Sequence, residues 1–501
     1  MNRESGILLP ITSLPSPYGI GCLSEEAYRF VDFLCEAGQS VWQILPTGHT
    51  SLGDSPYQAF SSFALNPYLV DLQALTDEGL LTEDECRAAN LGGRAGSVDY
   101  GAQYERRYPL LRLAYERSLA RTESDPDREA FERKQAAWLD DYALFMAIKD
   151  KKGGAPLSDW EEPLRLRRPE ALAEAQKALS HEIGFWRFVQ YRARRQWDAL
   201  KAYAERRGIR IVGDLPIYVS ADSADVWTQP NLFCLDKTGT PTAVAGCPPD
   251  GFTPEGQLWG NPLYRWEEHR RTGFAFWIAR LSYAFSLFDV VRIDHFRGFD
   301  SYYSIPYGAK NAVGGHWEEG PGMELFRAVE QALGKREIIA EDLGYMTDSV
   351  RRLVKDSGFA GMKLLQFGID PTDEGFANEY LPHNYPENSV AYPGTHDNPT
   401  LRAWLDELSA GEMSMLRDYL WDHHTPDGEL CDSLLALLMR SPSRLCIIPL
   451  PDLFALDNSA RINRPSTLGG NWTWRMSPDA LTDTAAWKLR RLTAIGGRLR
   501  S

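Results

Sequence analysis

The stretch VVRIDHFRG, residues 290–298, is a short apolar run that ends in charged side chains. Two other segments have the same form, IIAEDLG at 338–344 and YPGTHDN at 392–398. Apolar runs without alternation are typical of strands that are buried on both faces. Each run therefore predicts a carboxylate at the point where a buried strand ends. These carboxylates are Asp294, Glu341 and Asp397.

Runs of this kind recur along the chain and alternate with helical patterns. Between Ile183 and Ala204, apolar residues recur every three or four positions, as on one face of an amphipathic helix. Gly208 and Gly334 stand where helices would end, directly before the next run. Eight strands that alternate with helices predict an α/β protein, a (β/α)8 TIM barrel. The runs lie near residues 6–10, 40–46, 209–219, 289–296, 336–343, 361–368, 389–395 and 445–454.

The uneven spacing of these strands predicts large, mostly helical insertions in the barrel. The main insertion is expected at about 70–205, where helical patterns alternate with charged stretches. A Gly/Pro-rich segment at about 246–264 predicts a long loop that covers the active site, because loops of that length are usually functional or disordered. No linker separates independent domains, so residues 1–501 are expected to form a single catalytic barrel.

The charge balance of the 501-residue chain restricts its partners. Lys and Arg number 54 and Asp and Glu 69, a net charge of −15, which argues against nucleic acid or an anionic membrane and is compatible with a neutral sugar. We find no signal peptide and no apolar run of ~18 residues that would predict a membrane span. Seven irregularly spaced cysteines, without a CxxC or Cys/His cluster, favour a cytoplasmic location and give no reason to expect a metal or cofactor.

Arg292 and Asp294 are two residues apart, so strand alternation places both on the inward face. A cation within ~4–6 Å lowers the pKa of a carboxyl group and keeps it ionised. An ionised carboxylate is what a covalent nucleophile must be. The alternative interpretation is a structural Arg–Asp pair at the mouth of a barrel.

Glu341 follows an apolar stretch that would remove water from its carboxyl group. Loss of hydration raises a carboxyl pKa, as a general acid near neutral pH requires. The alternative for a strand-end acid is to cap the next helix. That alternative fits the neighbouring Asp342 better, because Asp342 should point toward the layer between strands and helices.

The remaining polar residues are weaker signals when each is considered alone. His396 beside Asp397 could be a loop histidine bonded to its neighbour, and Asp214 or Tyr57 could be a turn residue rather than a ligand of a sugar hydroxyl. VSADSADVW at 219–227 favours helix capping by Asp and Ser. As a set, however, three inward acids fit glycoside chemistry. Two carboxylates can act across a glycosidic bond, and a third can steady the positive charge that develops there.

Together these motifs resemble glycoside hydrolase family 77 of the α-amylase superfamily, the amylomaltase or 4-α-glucanotransferase family. The resemblance extends from LPSPYGIG at 14–21, through SPYQ at 55–58 and the segments above, to NRPSTLGGNWTWR at 463–475. It implies that Asp294 is the nucleophile, that Glu341 is the acid and then the base, and that Asp397 stabilises the transition state. It implies substrate contacts or their direct support at Tyr57, Asp214, Asp250, Gln257, Trp259, Asn261, Arg292, His295, His396 and Asn463.

Two positions depart from part of the family. Leu52 stands where some members carry an aromatic residue of a remote second glucan site. Pro254, with Glu255 one place later, stands where some members carry an acid in the covering loop. The resemblance therefore implies neither the remote site nor the size of the product.

The implied activity is that of a retaining 4-α-glucanotransferase. Such an enzyme cuts an α-1,4 bond of a maltooligosaccharide or starch-like glucan and passes the glucan to the 4-hydroxyl of another glucan or of glucose. Retention predicts that the carboxyl groups of Asp294 and Glu341 lie ~5–5.5 Å apart. The alternatives are an α-amylase-type hydrolase with the same acids and a non-catalytic glucan-binding protein, which the presence of all three acids disfavours. A phosphate-using barrel is disfavoured because no Gly-rich phosphate loop follows the late strands.

Overall fold

The computed structural model describes residues 3–50, 53–92, 96–121, 125–249, 253–467 and 469–499. Strands and helices are numbered along the chain. The strands are β1 Glu4–Leu8, β2 Val41–Gln43, β3 Arg210–Leu215, β4 Ala243–Cys247, β5 Gln257–Pro262, β6 Val290–Ile293, β7 Ser301–Pro306, β8 His316–Glu319, β9 Ile338–Ala340, β10 Ala360–Leu364, β11 Ser389–Tyr392 and β12 Leu445–Pro449.

The α-helices occupy most of the connections between these strands. They are α1 Glu25–Glu36, α2 Leu72–Asp77, α3 Glu83–Ala88, α4 Tyr100–Leu119, α5 Pro126–Lys151, α6 Glu162–Arg165, α7 Pro169–Ala178, α8 Ser180–Arg206, α9 Ala224–Thr228, α10 Trp266–Arg271, α11 Ala275–Leu287, α12 Met323–Leu333, α13 Asp348–Ser357, α14 Leu401–Glu407, α15 Ala410–Leu420, α16 Leu430–Arg440, α17 Leu450–Leu453 and α18 Asp483–Ile495.

Eight of the strands in the described ranges close into a parallel barrel in the order β1, β12, β11, β10, β9, β6, β3, β2. They coincide with the eight predicted runs, so the predicted (β/α)8 barrel is confirmed. All eight predicted runs extend beyond the C-terminal ends of their strands. The chain leaves β10 for a short 3-10 turn at Leu365–Phe367, and the last run continues as helix α17 after Pro449.

Side chains alternate between the inside of the barrel and the surrounding helices, as the pleat of a strand requires. The inner side chains form one cluster, and their neighbours along each strand belong to the large cluster under the helices. The inner cluster includes Leu8, Val41, Val212, Val290, Ile339, Met362, Val390 and Ile447, and the outer one Ile7, Trp42, Ile211, Val291, Ile338, Ala391 and Ile448.

Local signals read from the sequence set several element boundaries. Gly208 and Gly334 adopt positive φ (72° and 71°) directly after α8 and α12, as predicted for helix ends. Ser223 caps α9 and accepts a hydrogen bond from the Val226 N–H (3.3 Å), as predicted for this segment. Asp342 caps no helix; its carboxylate accepts the Met362 N–H (2.7 Å) of the adjacent strand, and Thr347 caps α13.

A second, antiparallel sheet in the order β5, β4, β7, β8 is built from the connections that follow β3 and β6. The segment 246–264, expected to be a loop, therefore contains the strand β5. Its glycines and prolines led to the loop prediction, although the segment pairs with β4. Since β3 and β6 are neighbours in the barrel, both connections leave the same side of its C-terminal end.

Helices α2 to α8 lie between β2 and β3, in the range where the sequence predicts an insertion. His49 connects them to the end of the second strand, because its Nδ1 lies 2.8 Å from the Tyr142 hydroxyl and its Nε2 3.0 Å from that of Tyr108. Burial lowers the pKa of His49 to about 3, so this histidine is neutral at pH 7. No helix of the described residues has the length and apolarity that a membrane span needs.

Gly6 lies where β1 meets β2 inside the barrel, and a Cβ built on it would be 2.4 Å from the Val41 carbonyl oxygen. We expect Gly6→Ala to cost about 1–3 kcal/mol of stability, because two backbones would have to separate. Gly314→Ala is the matched control, since nothing lies within 4 Å of its Cβ position. Thermal unfolding under one set of conditions measures both variants, and equal unfolding temperatures would contradict this packing argument.

Candidate active site

The inner face of the barrel changes from apolar to charged at the C-terminal ends of three neighbouring strands, β3, β6 and β9. Val212 is followed on the same face by Asp214, and Ile339 by Glu341. On β6, Arg292 and Asp294 lie on the same side, as predicted, with Nη1 and Oδ1 3.2 Å apart. Strand alternation thus brings three carboxylates and one guanidinium to one rim.

Arg292 is buried, with 3% of its side chain exposed, and its closest partner is Asp214, with 0% exposed. The Arg292 Nη1 donates to both carboxylate oxygens of Asp214 at 2.7 Å. A buried cation is tolerated when it is paired and hydrogen-bonded, and removal of one partner is costly. Asp294 therefore shares a guanidinium that is already engaged by Asp214.

The electrostatics of Asp294 differ from the expectation that Arg292 holds its pKa low. Burial raises the pKa of Asp294 to about 7; Arg292 opposes this rise, and the charges of Asp214 and Asp397 add to it. The prediction was wrong because the guanidinium divides its charge between two acids and cannot offset the loss of hydration at both. With 29% of its side chain exposed, Asp294 still faces open space.

Glu341 was expected to have a raised pKa, and the structure confirms the direction and the main cause. Burial raises the pKa of Glu341 to about 8, and the negative charge of Asp294 adds to the rise. Arg292 and the His295 N–H, which donates to Oε2 at 2.6 Å, act in the opposite direction. His295 has φ 49°, a left-handed conformation that few non-glycine residues adopt. Asp294 therefore ionises before Glu341.

Asp397 follows β11 and completes the rim, with 40% of its side chain exposed. Its Oδ1 accepts the Asn463 Nδ2–H at 2.6 Å, and its Oδ2 lies 3.3 Å from the His396 Nε2. Asn463, which the resemblance implies to contact or support the substrate, thus contacts Asp397 directly. Its contact with substrate remains a prediction.

Tyr57 and His396 connect Asp397 with Asp214. The Tyr57 hydroxyl donates to Asp214 Oδ2 (2.7 Å) and lies 2.9 Å from the His396 Nε2, and the two rings stack with centroids 5.5 Å apart. Burial lowers the pKa of His396. The predicted residues Tyr57, Asp214 and His396 therefore belong to one hydrogen-bonded network.

The segment 246–264, which was predicted to cover the active site, brings some of its predicted residues to the rim. The Trp259 ring meets the His295 ring edge-on at 4.8 Å, and the Trp259 Nε1–H donates to Gln257 Oε1 at 3.0 Å. Asn261 instead is buried, and its side-chain amide donates to the Val219 carbonyl oxygen at 2.8 Å. Asp250, like Leu52, lies outside the described residues.

Two residues at the rim were not selected from the sequence. The Trp472 ring lies 5.8 Å from that of Tyr57 and 6.0 Å from that of His396, and the Arg461 Nη2–H donates to the Asp397 carbonyl oxygen at 2.7 Å. Trp472 lies in the quoted motif NRPSTLGGNWTWR, and its tryptophan could have been singled out. For Arg461 no local pattern was available.

The family model described as 4-alpha-glucanotransferase, glycoside hydrolase family 77, matches residues 9–482. The chain belongs to this family. It is 46% identical to a 4-alpha-glucanotransferase of Thermus thermophilus, over 99% of each chain, and 42% identical to one of Clostridium butyricum, over 97% of this chain and 99% of the other. The structure of an amylomaltase from Streptococcus agalactiae in complex with acarbose superimposes with a TM-score of 0.96 at 41% identity, over 99% of this chain and 100% of that one.

Membership of family 77 makes the chain a hexosyltransferase of the 4-α-glucanotransferase class. The resemblance read from the motifs is thereby confirmed, and neither alternative, an α-amylase-type hydrolase or a non-catalytic glucan-binding protein, is favoured. The strong match over nearly the whole chain extends beyond the barrel to its insertions.

Asp294→Asn should lower the pKa of Glu341, because it removes a negative charge that raises that pKa. The pKa of Glu341 can be followed by carbon NMR of ¹³C-labelled glutamate carboxyl groups, with Glu341→Gln to assign the signal. Asp457→Asn, at a turn outside the site, is the control and should leave the Glu341 pKa unchanged. An unchanged value in Asp294→Asn would contradict the proximity of the two acids.

Proposed function

We propose that the enzyme transfers α-1,4-glucan segments between maltooligosaccharides, or between starch-like glucans, with retention of configuration. The donor is cut at an α-1,4 bond, and the enzyme-bound glucan passes to the 4-hydroxyl of another glucan or of glucose. The family supports the reaction class, and the relative from Streptococcus agalactiae, whose structure is a complex with acarbose, supports a sugar-like ligand.

The observation that carries the mechanism is the unequal environment of two neighbouring acids. Asp294 contacts the Arg292 guanidinium, whereas Glu341 accepts the His295 backbone N–H and has the higher pKa. Near neutral pH one acid is therefore ionised while the other holds a proton. This is the combination that a nucleophile and a general acid require.

In the first step, the Asp294 carboxylate attacks the anomeric carbon while Glu341 gives its proton to the departing glycosidic oxygen. The bond to the leaving glucan breaks as the bond to Asp294 forms, which leaves a covalent glucosyl-enzyme. Asp397, with a partly exposed carboxylate, stabilises the positive charge of the distorted sugar. Arg292 holds the ionised form of Asp294 in place.

In the second step, Glu341 removes a proton from the acceptor hydroxyl, which attacks the anomeric carbon and releases Asp294. Water would give hydrolysis instead, so transfer requires that a sugar occupies the acceptor position. We assign the exclusion of water to the segment 246–264. Its Trp259 lies against His295, next to Glu341, which supports this assignment. Carboxyl groups ~5–5.5 Å apart are expected for this retaining mechanism.

We place the enzyme in the cytoplasm, in contact with glucans and with neither nucleic acid nor membrane. The described residues form no disulfide bond, which supports a reducing compartment. The net charge of −15 supports uncharged ligands over polyanions.

Incubation with maltotriose tests the transfer reaction most simply. We expect glucose together with oligosaccharides longer than the substrate, while the total number of reducing ends stays constant. Chromatography of the products and a reducing-end assay measure the two quantities. A rise in reducing ends without longer products would show hydrolysis, and unchanged maltotriose would show a non-catalytic protein.

Asp294→Asn and Glu341→Gln should each reduce the transfer rate by several orders of magnitude, because the first removes the nucleophile and the second removes the acid and base. Asp457→Asn is the control for the loss of a carboxylate outside the site and should retain the full rate. Binding of maltotriose to the two site variants, measured by calorimetry, should be largely preserved. Near-normal turnover in either site variant would refute its assigned role.

The pH dependence of kcat/KM should be bell-shaped. Activity should fall as the pH decreases through about 7, since Asp294 gains a proton, and as it increases through about 8, since Glu341 loses one. The two limbs belong to the interacting pair rather than to isolated groups. Initial rates with maltotriose across pH 5 to 10 measure the profile, and activity that keeps rising above about pH 9 would contradict Glu341 as the acid.

A further inference from the structure

Arg461 lies at the rim and contacts the main chain of two of its other residues. Its Nη2–H donates to the Asp397 carbonyl oxygen at 2.7 Å, and its Nε–H donates to the Asn463 carbonyl oxygen at 2.8 Å. One rigid guanidinium thus connects the end of β11 with the segment that follows α17. The two carbonyl oxygens belong to residues whose side chains contact each other at 2.6 Å.

A second pair of hydrogen bonds closes this arrangement. The Asn463 N–H donates to the His396 carbonyl oxygen at 3.0 Å, and the Asn463 Nδ2–H donates to Asp397 Oδ1. Asn463 is therefore bound both to the backbone of His396, the residue before Asp397, and to the Asp397 carboxylate. Arg461 is therefore bonded to the main chain of both residues of the Asn463–Asp397 contact.

The surroundings of Arg461 act on its charge in both directions. Burial, and secondarily the nearby Arg464, lowers the pKa of the Arg461 guanidinium, and the charges of Glu407 and Asp397 oppose this decrease. Its described hydrogen bonds are to the carbonyl oxygens of Asn463 and Asp397 rather than to carboxylates. The planar fork of arginine can span two acceptors at fixed angles, whereas a lysine ammonium acts as a flexible point charge.

We propose that Arg461 is a positioning residue for transglycosylation, which acts by holding Asp397 and Asn463 in the orientation that the transition state requires. This inference rests on the proposed function, since it concerns the residue assigned to stabilise the sugar cation. Asp397 follows its strand in a loop and keeps 40% of its side chain exposed, so its orientation needs support from outside the barrel. A preorganised carboxylate needs no reorientation when positive charge develops.

The test compares Arg461→Met and Arg461→Lys with the parent enzyme in maltotriose transfer. We expect kcat to fall about 10–100-fold in Arg461→Met while KM changes less than about threefold, because the lost orientation matters in the transition state. Arg461→Lys should retain an intermediate kcat, since an ammonium can reach one carbonyl oxygen but not both. A kcat of Arg461→Met within about twofold of the parent would overturn the proposal.

Arg475→Met is the matched control, because the Arg475 Nη2–H also donates to a carbonyl oxygen, that of Ser16 at 2.8 Å, and burial also lowers its pKa. We expect it to lower thermal stability with kcat changed by less than about twofold. If the two methionine variants lost kcat equally and in proportion to their stability, Arg461 would be merely structural.

A double-mutant cycle combines Arg461→Met with Asn463→Ala and compares the kcat values. If Arg461→Met is poorly folded, Arg461→Lys takes its place in the cycle. We expect the double variant to be no slower than the slower single variant, because both changes release the same carboxylate. Fully additive losses would contradict the proposal. Failure of the parent enzyme to transfer glucan from maltotriose would refute the proposed function. Normal transfer by the parent that is also normal in the Arg461 variants would refute only the role of Arg461.

Discussion

The buried pairing of Arg292 with Asp214 is the interaction on which the mouth of the barrel depends. Removal of one partner from such a pair costs about 3–5 kcal/mol, because the other charge is left buried and uncompensated. The Tyr57 hydroxyl is bonded to Asp214, and His396 lies against Tyr57. The orientation of Asp397, which follows β11, therefore depends partly on an ion pair between β3 and β6, strands that do not neighbour β11 in the barrel. The rim is thus one connected network rather than three separate acids.

The same guanidinium limits how much negative charge the rim can hold. Its charge is shared by Asp214 and Asp294, both within 3.2 Å of Nη1. Ionisation of Glu341 would place a buried negative charge beside that of Asp294, so Glu341 retains its proton to higher pH. One cation and two anions thus set the protonation of the third acid, and the division between nucleophile and acid follows from this charge balance.

The barrel fold could be predicted from the sequence, because strands that are buried on both faces are continuous apolar runs. Carboxylates marked the ends of several of these strands. Local patterns were insufficient for relations between distant segments. β5 was expected to be loop because its pairing with β4 depends on partners rather than on composition. The low pKa expected for Asp294 was wrong because Asp214, 78 residues from Arg292, could not be placed beside it. Arg461 was missed for the same reason, since its contact with Asp397 spans 64 residues.

The central claim is that a single proton distinguishes Glu341 from Asp294, and neutron diffraction from crystals of the perdeuterated enzyme observes that proton directly. At a pH between about 7 and 8, we expect a deuteron on the Glu341 carboxyl group and none on Asp294. A deuteron on Asp294 with a bare Glu341, or two ionised acids facing each other, would contradict the account.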